Sequence, residues 1–238
     1  MPELRTESPG PEDNCIESQR SARARKRDRM HTVPRITVEV PVLSVGSGSA
    51  DYEKLGSYVR SLRREQGLHM TLLHIGVLDD FCHDVSEWTK GVTSPAAAAS
   101  TTSAWLRRLP VMGGFSGRAA RLIVLGGGSV CGLEVDVPQS VRDFQVSLVQ
   151  ALHELLAELL VDNADDFILS SRALGFRYPR WTPHVAVGSP LSRRSGSWEI
   201  QPVTIDFGES RIRNRQLLPA ADAEEGLTSA EGGRDLRW

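Results

Sequence analysis

The sequence predicts an α+β domain, two-lobed and pseudo-duplicated, with a central cleft between antiparallel sheets. Three observations lead there. Apolar residues alternate in some segments and recur every three to four positions in others, and the two kinds interleave along the chain. Two of the alternating segments, 67–76 and 182–188, share one shape: a histidine, alternating apolar residues and a closing glycine. These two segments fall at comparable places in the two halves of the chain.

Composition bounds the possibilities. In 238 residues, 40% are hydrophobic, enough for a substantial core. The formal net charge of −2 gives no global attraction to nucleic acid, so any such partner must be held by a local patch. The three cysteines, Cys15, Cys82 and Cys131, have no CxxC spacing. That argues against a disulfide framework or a zinc site and fits a reducing cytosol, so a cytoplasmic location is expected. No run of about 18 apolar residues occurs, so no membrane span is expected.

The first 33 residues are polar, acidic at first (Glu3, Glu7, Glu12, Asp13, Glu17) and then basic (Arg20, Arg23, Arg25, Lys26, Arg27, Arg29). Such a segment cannot bury enough apolar surface to offset its ordering entropy and is expected to be disordered. A solvated tail is the plain reading, and a nucleic-acid-binding arm is the sharper one. Ordered structure is expected over 34–213. It begins with Ile36, Val38, Val40 and Val42 alternating along a half-buried strand. Pro41 predicts an unpaired edge near the end of that strand. Gly46-Ser47-Gly48-Ser49 reads as a flexible connection, because it lacks the lysine and the full glycine spacing of a phosphate loop. Residues 51–65 read as a helix with Tyr52, Leu55, Val59 and Leu62 on one face.

The His69 strand follows. Helices are then expected over 79–90 and 95–109, with a break at Gly91. A short strand is expected over 111–115, then strands over 121–125 and 131–137, the last two joined by a glycine-rich turn. Residues 139–161 carry the strongest helical signal, with Val141, Phe144, Leu148, Leu152, Leu155 and Leu159 at helical spacing. An irregular stretch (167–180), the His184 strand, a polar loop (189–197) and a final strand region (198–213) complete the domain. Residues 214–238 read as a disordered tail.

The His69 strand holds the chemistry. Side chains alternate along a strand, so His69 and Thr71 share a face while Met70 and Leu72 point to the core. His74 falls on the opposite face by the same count, which favours a core or edge role. In the second segment His184 takes the place of His69, and Ala186 stands where Thr71 does in the first. Two imidazoles across a cleft make an acid and base pair that works near neutral pH. A hydroxyl two residues on can donate to an anion held between them. Tyr178, Arg180 and Trp181 lead into the second segment, and there an arginine and aromatics suit a phosphate and a base. Packing is the plainer role for Trp181.

His69-Met70-Thr71-Leu72 and His184-Val185-Ala186-Val187 resemble the paired His-x-Thr/Ser motifs of the 2H phosphoesterase superfamily. The likeness is greatest to its RNA 2′,3′-cyclic phosphodiesterase and 2′–5′ RNA ligase branch. It covers residues 34–213, including Arg180-Trp181-Thr182-Pro183 before the second motif and Gly208-Glu209-Ser210 after a late strand. The resemblance implies a two-lobed fold and chemistry that needs no metal or other cofactor. The substrate would be a cyclic phosphate or a 2′-linked diester of an RNA end or small nucleotide. His69 and His184 would be the catalytic pair and Thr71 a phosphate ligand, with the division into base and acid left open. Ala186 departs from the pattern by removing the second hydroxyl. It keeps two alternatives in view: a non-catalytic module binding nucleotides or RNA ends, and an unrelated domain in which both histidines are ordinary strand residues.

Overall fold

Ile36, Val38, Val40 and Val42 turn one face of a ten-residue strand, β1 (Ile36–Val45), into the core. The structure, a computed structural model, describes residues 35–174, 181–191 and 196–213. Both expected tails lie outside the described residues. Strand β1 is central rather than an edge. It pairs with β3 (His69–Gly76) on one side, and with β7 (Ser197–Phe207) and β8 (Arg211–Arg213) on the other. Pro41 falls where the second side changes partner, between residues 37–39 on β8 and 42–45 on β7. A residue without an N–H suits that gap, and its carbonyl accepts a hydrogen bond from Gly208 N at 2.9 Å.

The helix expected over 51–65 does not form. A short helix α1 (Ser49–Glu53) leads into a 3₁₀ turn (Lys54–Ser57), a two-residue strand β2 (Val59–Arg60) and a second 3₁₀ turn (Glu65–Gly67). Gly56 disfavours helix, and Ser61 takes φ 55°, which no right-handed helix can continue. Tyr52, Leu55 and Val59 are buried all the same. The apolar spacing marked the buried residues correctly, and a series of turns brings them inward.

Helices α2 (Leu78–Trp88) and α3 (Pro95–Leu106) pack on each other after β3. Asp79 and Asp80 complement the N-terminal dipole of α2. Ser94 caps α3 by accepting from Ala97 N, and Pro95 occupies the first turn. One long strand, β4 (Phe115–Leu125), replaces the two expected over 111–125. A bulge between Ala119 and Arg121 breaks its alternation, which hides it from a period-two reading. Strand β5 (Val130–Asp136) and the long helix α4 (Gln139–Glu158) follow close to expectation. A further helix, α5 (Ala164–Ser170), runs into the stretch expected to be irregular, and its Phe167 makes edge contacts with Phe81 and Trp88. Strand β6 (His184–Pro190) runs on into the expected loop because β2 pairs with its end.

All strand pairs are antiparallel. The order β2-β6-β3-β1-β7-β4-β5 closes on itself, because β5 also pairs with β6. The strands therefore form one continuous ring-like sheet. The mixed helix and antiparallel sheet content bears out the α+β class. Met70, Leu72, Leu133 and Val185 join Leu148, Leu152 and Leu155 of α4 in one apolar cluster. The alternate positions, among them His69, Thr71, Glu134, His184 and Ala186, lie on the other face and are only partly covered. Gly76 closes β3 with φ +82°, and a Cβ there would lie 2.1 Å from the carbonyl oxygen of Ala173. That glycine lets the segment after α5 pass against the sheet.

Candidate active site

Met70 pairs with Val185 across β3 and β6. In an antiparallel pair this register sets position 69 beside 186 and 71 beside 184. His69 therefore faces Ala186, and Thr71 faces His184. An approximate local twofold through the Met70–Val185 pair exchanges the two histidines. They sit on the diagonal of one cross-strand quartet, a separation of roughly 7–8 Å by sheet geometry and somewhat less at Cβ. Both side chains are partly exposed on the face away from the core.

Each motif is anchored by its approach. The backbone N of Val42 donates to the carbonyl of Leu68, just before His69. The indole N–H of Trp181 donates to the carbonyl of Thr71 at 3.1 Å, tying the segment before β6 to β3. On the other side the backbone N of Val135 donates to the carbonyl of Pro183 at 3.0 Å. The packing expected of Trp181 is thus present, and its ring also lines a hollow of about 560 Å³ beside the motif. Arg118, Arg121 and Arg142 line the same hollow, together with Glu134 and Asp136. Tyr178 and Arg180 lie outside the described residues.

The two imidazoles have different surroundings. His184 Nδ1 lies 2.8 Å from the carbonyl oxygen of Thr182. A carbonyl can only accept, so this contact is satisfied by a proton on Nδ1. Burial is the main cause holding the pKa of His184 below the usual imidazole value. The Thr182 hydrogen bond opposes that shift, and His69 adds to it. His69 Nδ1 lies 3.2 Å from the Gly67 carbonyl and 3.4 Å from Arg213 Nη1, and its Nε2 lies 3.5 Å from Glu39 Oε2.

Glu39 belongs to this site and is not legible as such in the sequence, where it is one polar residue of an alternating strand. It is fully buried. Arg211 directs Nε and Nη2 to its Oε1 at 3.2 and 3.0 Å. Arg213 Nη1 lies 3.6 Å from Oε2. These partners offset the cost of burying the carboxylate. Arg211 and Arg213 come from β8, which pairs with β1 at this point (Glu39↔Arg211, Thr37↔Arg213).

His74 is a correction. The β1–β3 ladder shifts register between Val38 and Glu39, so Val38 pairs with Leu73 while Glu39 pairs with Thr71. The extra residue on β3 reverses the count, and Leu72 and Leu73 are both buried. His74, paired with Thr37, then shares the face of Thr71 and Glu39. Burial, helped by Arg35, lowers its pKa to about 4. His83 is exposed on α2, and His153 lies 3.6 Å from Asp165 on the outside of α4.

Gly132 is a second residue the sequence did not single out. It pairs with Ala186, and a Cβ there would lie 3.3 Å from His184 Cδ2. Glycine at 132 therefore leaves room for the imidazole. Across the ladder, Glu134 pairs with His184 and forms an ion pair of 2.5 Å with Arg121.

A hollow of about 720 Å³, lined by residues of 46–58 and 200–204, contains neither histidine. Among the described residues no group of three His, Cys, Asp or Glu side chains is arranged to hold a metal ion, and no helix is long and apolar enough to cross a membrane.

No protein-family model and no curated protein matches the sequence. Among solved structures, the crystal structure of TT0787 of Thermus thermophilus matches with a TM-score of 0.39 and 12% sequence identity. The match covers 76% of this chain and 94% of that one. The likeness is a weak one of overall fold.

Proposed function

We propose that this chain is a cytoplasmic phosphodiesterase of the 2H type, acting on a 2′,3′-cyclic phosphate or a 2′–5′ phosphodiester of an RNA end or small nucleotide. The reading takes the ring-like sheet as a two-lobed 2H arrangement. The Met70–Val185 register carries it, because it puts both imidazoles and the Thr71 hydroxyl on one partly covered face. One histidine takes a proton from the attacking water and the other gives a proton to the leaving oxygen. Thr71 donates a hydrogen bond to the phosphoryl oxygens. Trp181, with Tyr178 and Arg180, is assigned to the nucleotide beyond the phosphate, and the hollow lined by Arg118 and Arg121 supports that side of the cleft. No cofactor enters the scheme.

The test is hydrolysis by purified protein of a 2′,3′-cyclic nucleotide, a cyclic-phosphate-ended RNA and a 2′–5′ dinucleotide, each with a chelator present. Cleavage of one of them, lost in His69→Ala and His184→Ala, is the expected result. Absence of cleavage, or cleavage that survives both substitutions, overturns the proposal.

Ala186 favours a second reading, a module that binds nucleotides or RNA ends without turnover. Nucleotide affinity with no product, unchanged by Ala186→Thr, would select it.

A further inference from the structure

We propose that the hollow beside the second motif holds the next phosphate of the substrate strand, between Arg118 and Arg142, so that the substrate is an RNA strand and not a free mononucleotide. This rests on the phosphodiesterase reading and chooses between the two substrate sizes which that reading leaves open.

A bulge builds the hollow. Arg118 and Arg121 are three residues apart, a spacing that puts side chains on opposite faces of a regular strand. The extra residue of β4 between Ala119 and Arg121 cancels that alternation. Arg118 pairs with Asp136 and Arg121 with Glu134, and Glu134 in turn pairs with His184. Residues 134 and 136 lie two apart on β5, so both arginines come to the face of His184. They stand two strands away from it, about 10 Å by sheet spacing, a distance that one nucleotide spans.

Charge decides what the hollow takes. Three guanidinium groups and two carboxylates line it, which leaves one positive charge in excess. Arg121 is committed to Glu134 at 2.5 Å. Arg142 reaches Asp136 only at 3.5 Å, and the Asp136 side chain is 87% exposed, so water weakens that pair. Arg118 makes no ion pair and no side-chain hydrogen bond among the described residues. Arg142 stands in the first turn of α4, a turn without an acidic residue, where the helix dipole adds to the positive potential. Two guanidinium groups are thus open to the oxygens of a phosphodiester. Trp181 supplies the wall between the two phosphates. Its indole N–H is held by the Thr71 carbonyl at 3.1 Å, so the ring is tied to the first motif and lines the hollow. The nucleoside that joins the two phosphates lies against that ring.

The test compares three substrates that share one cyclic phosphate: a 2′,3′-cyclic mononucleotide, the same compound carrying a 5′-phosphate, and a dinucleotide ending in the cyclic phosphate. The dinucleotide should show a kcat/KM about tenfold or more above that of the first, the range of one hydrogen bond to a charged group. Arg118→Ala and Arg142→Ala should each remove most of that advantage without changing thermal unfolding. Arg108→Ala, which alters an exposed arginine paired with Glu158, should retain it. Equal values for mononucleotide and dinucleotide, or an advantage that survives both substitutions, overturn the proposal. An advantage confined to the 5′-phosphate compound overturns the assignment to a strand. If the wild-type protein cleaves none of the three and no 2′–5′ dinucleotide, the phosphodiesterase reading fails, and binding decides the role of the hollow. The affinity for an RNA octamer ending in a 3′-phosphate should then fall with salt, with a logarithmic slope smaller by about 0.7 in Arg118→Ala. A slope equal to that of the wild type overturns the proposal by this route as well.

Discussion

Ala186 faces His69 across β3 and β6, at the position symmetric to that of Thr71 facing His184. One half of the quartet offers an imidazole and a hydroxyl, and the other offers an imidazole and a methyl group. Gly132 lies beside Ala186 on the far side, so the gap is flanked by a residue with no side chain.

Restoring the hydroxyl tests whether the gap limits turnover. Ala186→Thr should raise kcat on a cyclic phosphate by about tenfold or more, since one donor to developing charge is worth about 10²–10³ in rate. Single-turnover rates measure this directly. A rate that stays flat while nucleotide binding persists would favour the binding module.

The pH profile should carry the mark of His184. Its pKa lies below the ordinary imidazole value, first because of burial. The neutral, proton-accepting form therefore persists to lower pH than in a solvent-exposed histidine. The acidic limb of kcat/KM should fall below about pH 6.5, the unperturbed value. A limb at or above that value would show that another group controls the base.

Acid should also loosen the fold through His74. Its folded pKa is about 4. The unfolded chain, with an ordinary histidine, takes up the proton first as pH falls. The stability associated with neutral His74 is complete above about pH 6.5 and is lost progressively down to about pH 4. At pH 5 the loss amounts to about 2 kcal/mol. Urea unfolding at pH 7 and pH 5 should show this difference in the wild type and a smaller one in His74→Gln.

Arg211 is predicted to matter more for stability than its exposure suggests. Its side chain is 57% exposed, but its partner Glu39 is fully buried. Arg211→Ala removes both hydrogen bonds to Oε1 and leaves the carboxylate in place without water. A loss of about 3 kcal/mol is expected from equilibrium unfolding. Glu39→Gln should cost less, because it removes the buried charge together with its need for a partner.

Gly132→Ala should act on the reaction rather than on the fold. The added Cβ would lie 3.3 Å from His184 Cδ2, so the ring must shift by a few tenths of an ångström. A fall in kcat of about tenfold is expected, because small displacements of a reacting group are costly, with little change in the melting temperature.

The sequence alone determined the α+β class, the long helix α4, the two histidine strands and the shared face of His69 and Thr71. Each of these follows from local periodicity, which one stretch of chain carries by itself. It misread 51–65 because helical spacing of Tyr52, Leu55 and Val59 says which residues are buried but not what backbone carries them. It placed His74 on the wrong face because a bulge is a property of two strands in register, and no count along one strand can show it. Only the tertiary structure decided that β6 lies beside β3 with 69 opposite 186, which depends on pairing residues more than a hundred positions apart. The same holds for Glu39. Its polarity is visible in β1, but its role follows from β8, where Arg211 and Arg213 return some 170 residues later to hold the carboxylate against His69.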